Sequence, residues 1–180
     1  TTYRLEELAE AGETDCIISL LPVSEHRFDY DVLFKERLLL ALPPAHSIST
    51  ALGLLPGDRT APPIIPLAAL RDTPFLLMHR EQKLHDTLFM FCKEAGFLPQ
   101  VTLETRSMNT AHALAGAGLG AAILPETLIV AAPPANPPCY AAIEGDPHRT
   151  IILARAKNRY LPRAVDIFRK ELQAFCAKRG

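Results

Sequence analysis

The chain has no excess of positive charge, with 19 Lys and Arg against 20 Asp and Glu. A balanced surface has no field that favours a polyanion, so nucleic acid is not expected as a direct partner of these residues. Long hydrophobic runs are also missing. No stretch approaches the ~18 consecutive apolar residues of a membrane span. The opening TTYRLEELAEAGE is charged and helix-like, without the apolar core of a signal peptide. There is no initiator Met, as expected of a fragment or a processed chain. Cys16, Cys92, Cys139 and Cys176 are scattered with no C-x-x-C pair, which indicates neither a zinc site nor a disulfide framework. The expectation is buried thiols in a reducing cytoplasm. The six histidines form no metal pattern. His79 and His85 are six apart and do not share a helix face; Glu81 and His85 could share one, but two groups do not make a site. No metal and no cofactor is expected.

What is present is ordinary for a globular protein: 48% apolar and 22% charged residues over 180 positions, enough for one domain or two small lobes with a real core. Residues 3–11 read as a short helix with Leu5, Leu8 and Ala9 on one side and Gly12 as its stop. Asp15 to Leu21 and Arg37 to Pro43 are continuous apolar runs, as in strands covered on both faces of an α/β sheet. Phe28 to Phe34 alternates weakly. Residues 44–66 are proline-rich, with Gly53 and Gly57, and predict an irregular connection without packed elements. A short helical turn, a strand over Phe75–Met78 and a helix over Lys83–Ala95 follow. That helix carries Leu84, Leu88, Phe91, Cys92 and Ala95 at helical spacing and is capped by Gly96. QVTLETR is a strand. Ser107 is a good N-cap for a helix through Ala117 with Met108, Ala111, Leu114 and Ala115 on one side. Ala121 to Pro125 is a strand, and a proline cluster (133–138) precedes strands near 140–143 and 150–155. Pro162 opens a last helix to about Cys176.

Gly116-Ala117-Gly118-Leu119-Gly120-Ala121 fits the string of a dinucleotide fingerprint. The fingerprint needs a strand first and then a helix whose N-terminus faces the phosphates. Here the helix comes first and the strand follows, which puts the glycines at the negative end of a helix dipole. No Gly-Lys-[Ser/Thr] follows either. The glycines are a helix stop and a tight turn.

A helix, Ala-Gly-x-Gly-Leu-Gly and a short strand ending in Leu-Pro resemble the effector-binding domain of bacterial LysR-type transcriptional regulators. Other stretches match in order. EELAEAGETDCIISLLP resembles the family's helix–Gly–x–x–Asp–strand, with Asp15 at the acidic position. FKERLLLALPPAHSIS resembles its strand ending near Pro-x-x-His-Pro-Leu, with Ser47 in place of the usual proline. PLAALRDTPFLLM resembles the turn before a second-lobe strand. FCKEAGFLPQVTLETRSMNTAHALAGAGLGAAILP matches nearly throughout. The linker at Leu52–Pro66 is longer than typical. The family's helix-turn-helix, linker helix and first strand–helix–strand do not precede Thr1, so roughly 40 residues of the effector domain are expected to be absent.

The resemblance implies an α/β, type 2 periplasmic-binding-protein-like fold, two α/β lobes joined by two crossing strands. The first lobe would be 1–43 plus 151–180 and the second 44–150. It implies a small, anionic effector held between them by Ser19, Leu20, Met78, His79, Arg80, Ser107, Met108 and Asn109. The everyday readings stay open beside this: Ser107 as a simple N-cap with Asn109 sharing the role, Ser19 as a buried hydroxyl, Arg80 as a solvated charge. His79 is the most position-specific of the set. His46 reads as hinge structure and His112 as a packing or interface residue. No catalytic residue is assigned: Cys92, His85 and Asp86 lie on one helix, but Cys92 falls on its apolar face as an inert thiol. The implied protein is a cytoplasmic regulator, not an enzyme. It would be a homodimer or tetramer in full length, with the Lys83–Ala95 helix as an available interface, and would reach DNA only through a helix-turn-helix not in this chain. The alternatives are a free-standing solute-binding protein or an enzyme on the same fold.

Overall fold

The computed structural model describes residues 1–177. The chain divides into two compact units: Thr1–Glu36 with the chain from His148 on, and Arg37–Pro147. The chain therefore passes from one unit to the other twice, at 36/37 and at 147/148.

In the first unit, α1 (Thr2–Ala11) is N-capped by the Thr1 hydroxyl and stopped by Gly12 in the left-handed region. Its inner face carries Glu6 and Ala9 rather than Leu5, Leu8 and Ala9, and Leu5 is exposed. The reason is polar: the Ser19 hydroxyl donates to Glu6 Oε1 at 3.1 Å, and this buried pair takes the inward position. β1 (Ile17–Leu20) pairs antiparallel with β8 (His148–Ala156), and β8 lies between β1 and β2 (Phe28–Leu42). Ile17 packs with Ala9, Phe28, Ile152 and Ala154, whereas Ile18 is 51% exposed. The apolar run of β1 is thus not covered on both faces. It is a terminal strand with α1 on one side only. β2 is one strand of 15 residues where the pattern predicts two; no Gly or Pro interrupts it, so nothing forces a break. α6 (Arg163–Ala177) follows Pro162 and is tied to β2 by Arg169, which pairs with Asp31 and with Asp166 of its own helix.

The second unit begins inside β2. The 44–66 segment is not wholly irregular. It contains α2 (Ser47–Ala51) and β3 (Ile64–Ile65). α2 forms because His46 Nδ1 accepts from the Ile48 N–H at 3.2 Å, and β3 because two β-branched residues between prolines pair in parallel with β7 (Cys139–Ile143). A 3-10 turn (Leu67–Leu70) leads into β4 (Pro74–Met78), α3 (Lys83–Glu94), β5 (Gln100–Thr105), α4 (Met108–Gly116), β6 (Ala122–Pro125) and α5 (Glu126–Ala131). β5 pairs in parallel with β4. On the other side of β4, just before β6, the Leu76 N–H donates to the Ala121 carbonyl and the Ala121 N–H donates to the Pro74 carbonyl. β6 and β7 each pair antiparallel with β2.

Alternation along the strands places the helices. Phe75 and Leu77 belong to the core that takes Leu84, Leu88 and Cys92 of α3. Leu76, between them, belongs to the core that takes Ala111 and Ala115 of α4. The helices therefore cover opposite faces, and the period-2 pattern of β4 separates two cores.

Candidate functional site

β4 and β5 are parallel and end together, with Met78 opposite Thr105. Each then runs directly into a helix, so the N-termini of α3 and α4 stand side by side at the carboxyl ends of two adjacent strands. In α/β sheets this is where ligands bind, and helix N-termini there favour anions. Local bonds fix the edge. The His79 N–H donates to the Thr105 carbonyl at 2.8 Å. Gln82 Nε2 donates to the Arg106 carbonyl at 3.0 Å, and Arg106 Nη2 reaches Glu81 Oε2 at 3.2 Å. The Ser107 N–H donates to Thr105 Oγ1 at 3.1 Å, while Ser107 Oγ accepts from the Thr110 N–H at 3.2 Å. Ser107 thus satisfies one of the four first-turn donors of α4, and a helix leaves its first-turn amides without intrahelical partners.

Six of the eight expected residues meet at this edge. Met78 is buried, with its side chain in the α3-side core, so its backbone is what it offers there. His79 is half-buried, and its Nδ1 accepts weakly from the Glu81 N–H at 3.4 Å. Arg80 and Asn109 are exposed, and Arg80 has no hydrogen bond or ion pair to a described residue. Met108 is partly buried between the two cores. Ser19 and Leu20 belong to the first unit, where the Ser19 hydroxyl is turned to Glu6.

Two features went unread in the sequence, and His46 takes another role than the one read. The Gln82 and Arg106 ties join loops 24 residues apart, and no local pattern announces them. Glu36, itself buried, forms a partly buried ion pair with Arg149, and Arg37 pairs with Asp146 at 2.6 Å, so opposite charges flank both chain passages. His46 is a cap rather than a hinge: its Nε2 lies 2.9 Å from Thr73 Oγ1, and the passage between units falls at 36/37.

Three of the thiols are poor nucleophiles. Burial pushes Cys92 up to about 11 and also raises Cys139 and Cys16. Among the described residues no cluster of three His, Cys, Asp or Glu could hold a metal ion, and no helix is long and apolar enough to cross a membrane.

Two compact α/β units, the second with a sheet covered by helices on both faces, define a type 2 periplasmic-binding-protein-like fold. The chain belongs to the LysR substrate binding domain family, whose model matches residues 1–177. It is 28% identical over 171 residues to an uncharacterized HTH-type transcriptional regulator, YcgK, of Bacillus subtilis, a match covering 91% of this chain and 52% of that protein. A probable hydrogen peroxide-inducible genes activator of Mycobacterium leprae is 30% identical over 128 residues, 71% of this chain and 37% of that protein. The chain spans about half the length, or less, of these curated relatives. The effector binding domain of QuiR in complex with shikimate superposes with a TM-score of 0.81 at 17% identity, over 99% of this chain and 79% of that one.

Proposed function

We propose that this chain is the effector-sensing and oligomerisation domain of a LysR-type transcriptional regulator. Its effector is a small carboxylate. Met78, His79, Arg80, Ser107, Met108 and Asn109 receive the acid group, with Ser19 and Leu20 contributing from the first unit. The two units act as lobes whose relative closure the effector biases. DNA is reached through a helix-turn-helix elsewhere in the full-length cytoplasmic protein, which works as a homodimer or tetramer. The family match supports this reading over a free-standing solute-binding protein and over an enzyme.

One observation carries it: two helix N-termini stand together at the ends of adjacent parallel strands, beside an arginine with no partner among the described residues. The shikimate bound by the QuiR domain is a carboxylate, which supports the ligand class. The raised thiols of Cys92, Cys139 and Cys16 weigh against peroxide as the signal, although one relative is named for it. A thermal-shift titration with shikimate and a panel of small aromatic and aliphatic acids tests the reading. At least one acid should raise the melting temperature, and Arg80→Ala should weaken that acid about tenfold or more while leaving the unliganded stability unchanged, a charged hydrogen bond contributing about 1.5–3 kcal/mol. Binding of neutral analogues as tightly as acids would reject it.

A further inference from the structure

We propose that His112 is a positioning residue for this site: it holds α4, and with it the effector-facing first turn, against β7 through Tyr140, and it releases that hold on protonation. The proposal rests on the reading that the first turn of α4 receives the effector.

α4 buries few large side chains completely. Its sequence is MNTAHALAG, and its buried residues are Ala111, His112 and Ala115. Two of these bury only a methyl group, and Met108 and Leu114 are only partly buried against the core, so His112 is the one fully buried bulky side chain of the helix. It is fully buried, and its Nε2 lies 2.6 Å from Tyr140 Oη, with the rings 5.8 Å apart. Tyr140 stands on β7 opposite Ala41 of β2, the strand that leaves this unit. His112 is also one helical turn beyond Met108, on the same face. A contact at position 112 therefore sets where Ser107, Met108 and Asn109 lie.

The chemistry of the pair fixes its direction. Burial pushes the Tyr140 hydroxyl up to about 12, so it keeps its proton; with the ring proton on Nδ1, toward the Ala132 carbonyl, the hydroxyl donates and Nε2 accepts. Nδ1 is buried without a hydrogen-bond partner of ordinary geometry among the described residues. Burial lowers the His112 pKa below its ordinary 6.5, with the Ala132 carbonyl opposing in part. The surrounding core is Leu39, Leu76, Leu124 and Ile129, which offers an imidazolium no counter-charge. The polar groups facing the pair are the protonated Cys139 thiol and Arg59, whose guanidinium donates to the Ile129 carbonyl and acts on Tyr140. A proton on His112 thus turns the Nε2 acceptor into a donor and adds a second cation where one already acts.

The sign follows. The anchored state is complete above pH ~6.5, where the imidazole is neutral both in place and released. It is lost as pH falls below that value, because the released imidazole binds the proton first.

Amide hydrogen exchange on the ligand-free chain, corrected for intrinsic rates, tests this separately from any acid titration. Between pH 7.5 and 5.5 the protection of α4 amides should fall about tenfold relative to β4 amides, the effect of one pKa unit. His112→Gln keeps an acceptor for Tyr140 but does not titrate, so it should stay protected at both pH values. Tyr140→Phe and His112→Phe should lose α4 protection at both. If His112→Phe does not fold, the Gln and Tyr140 variants still decide. A pH-dependent loss in His112→Gln equal to that of the parent would overturn the proposal and assign the effect to another histidine. So would unchanged α4 protection in Tyr140→Phe, or a loss spread equally over every element.

Discussion

At the scale of single residues, the chain's polar groups divide into those spent on the fold and those left at the surface. Glu6, Ser19, His46, Thr73, His112 and Tyr140 are all paired within their own unit. Arg80 and Asn109 stand exposed at the strand ends. Cys92 belongs to the first group: it is fully buried on the inner face of α3, and its raised pKa keeps it a thiol at neutral pH. We expect hydrogen peroxide and thiol-specific reagents to leave Cys92 unmodified in the folded chain and to react with it only after denaturation, as peptide mass mapping would show. Rapid oxidation of native Cys92 would reopen a redox role. The sequence made Cys92 legible because helical spacing alone put it on the apolar face. It could not make the His112–Tyr140 pair legible: 28 residues separate the partners, and an isolated His among alanines looks like packing until the strand opposite is known.

At the scale of elements, the glycine run after α4 shows what its residues are for. Gly116 ends the helix, and a Cβ there would come within 1.9 Å of the Asn136 backbone carbonyl oxygen. Gly118 has open space around it but a φ of +91°. The two positions should therefore respond differently. Gly116→Ala forces the 133–138 loop away from α4 and should destabilise by about 3 kcal/mol. Gly118→Ala meets only backbone strain and should cost about 1–2 kcal/mol. Urea denaturation of the two variants measures both, and equal small effects would contradict the packing account. Order along the chain was enough to dismiss a nucleotide loop here, because helix-before-glycine is a local fact. The same local reasoning failed at α2 and β3, whose formation depends on the His46 cap and on pairing with β7, a strand more than seventy residues away. It failed also at β1: a run of apolar residues reports burial only if both faces find partners, and a sheet-end position is not written in the run itself.

At the scale of the whole molecule, the fold class was legible because several ordered stretches resemble one family, and the family match spans residues 1–177. The ties that join the two strand ends were not, since Gln82 and Arg106 meet only once β4 and β5 are paired. Charge is the other whole-molecule property. With 19 cationic and 20 anionic side chains, the chain lacks the clustered Lys and Arg that phosphate contacts require. In a mobility-shift assay this chain should give no specific, salt-dependent shift of promoter DNA, and such a shift would contradict the division of labour proposed above. The most direct test of the central claim is residue-resolved: amide NMR spectra of the isotope-labelled chain, recorded while the acid that raises its melting temperature is added. The largest shifts should fall on His79, Arg80 and Ser107 to Thr110, with a smaller response at Ser19 and Leu20. Shifts concentrated elsewhere, or no response to any acid in the panel, would contradict the account.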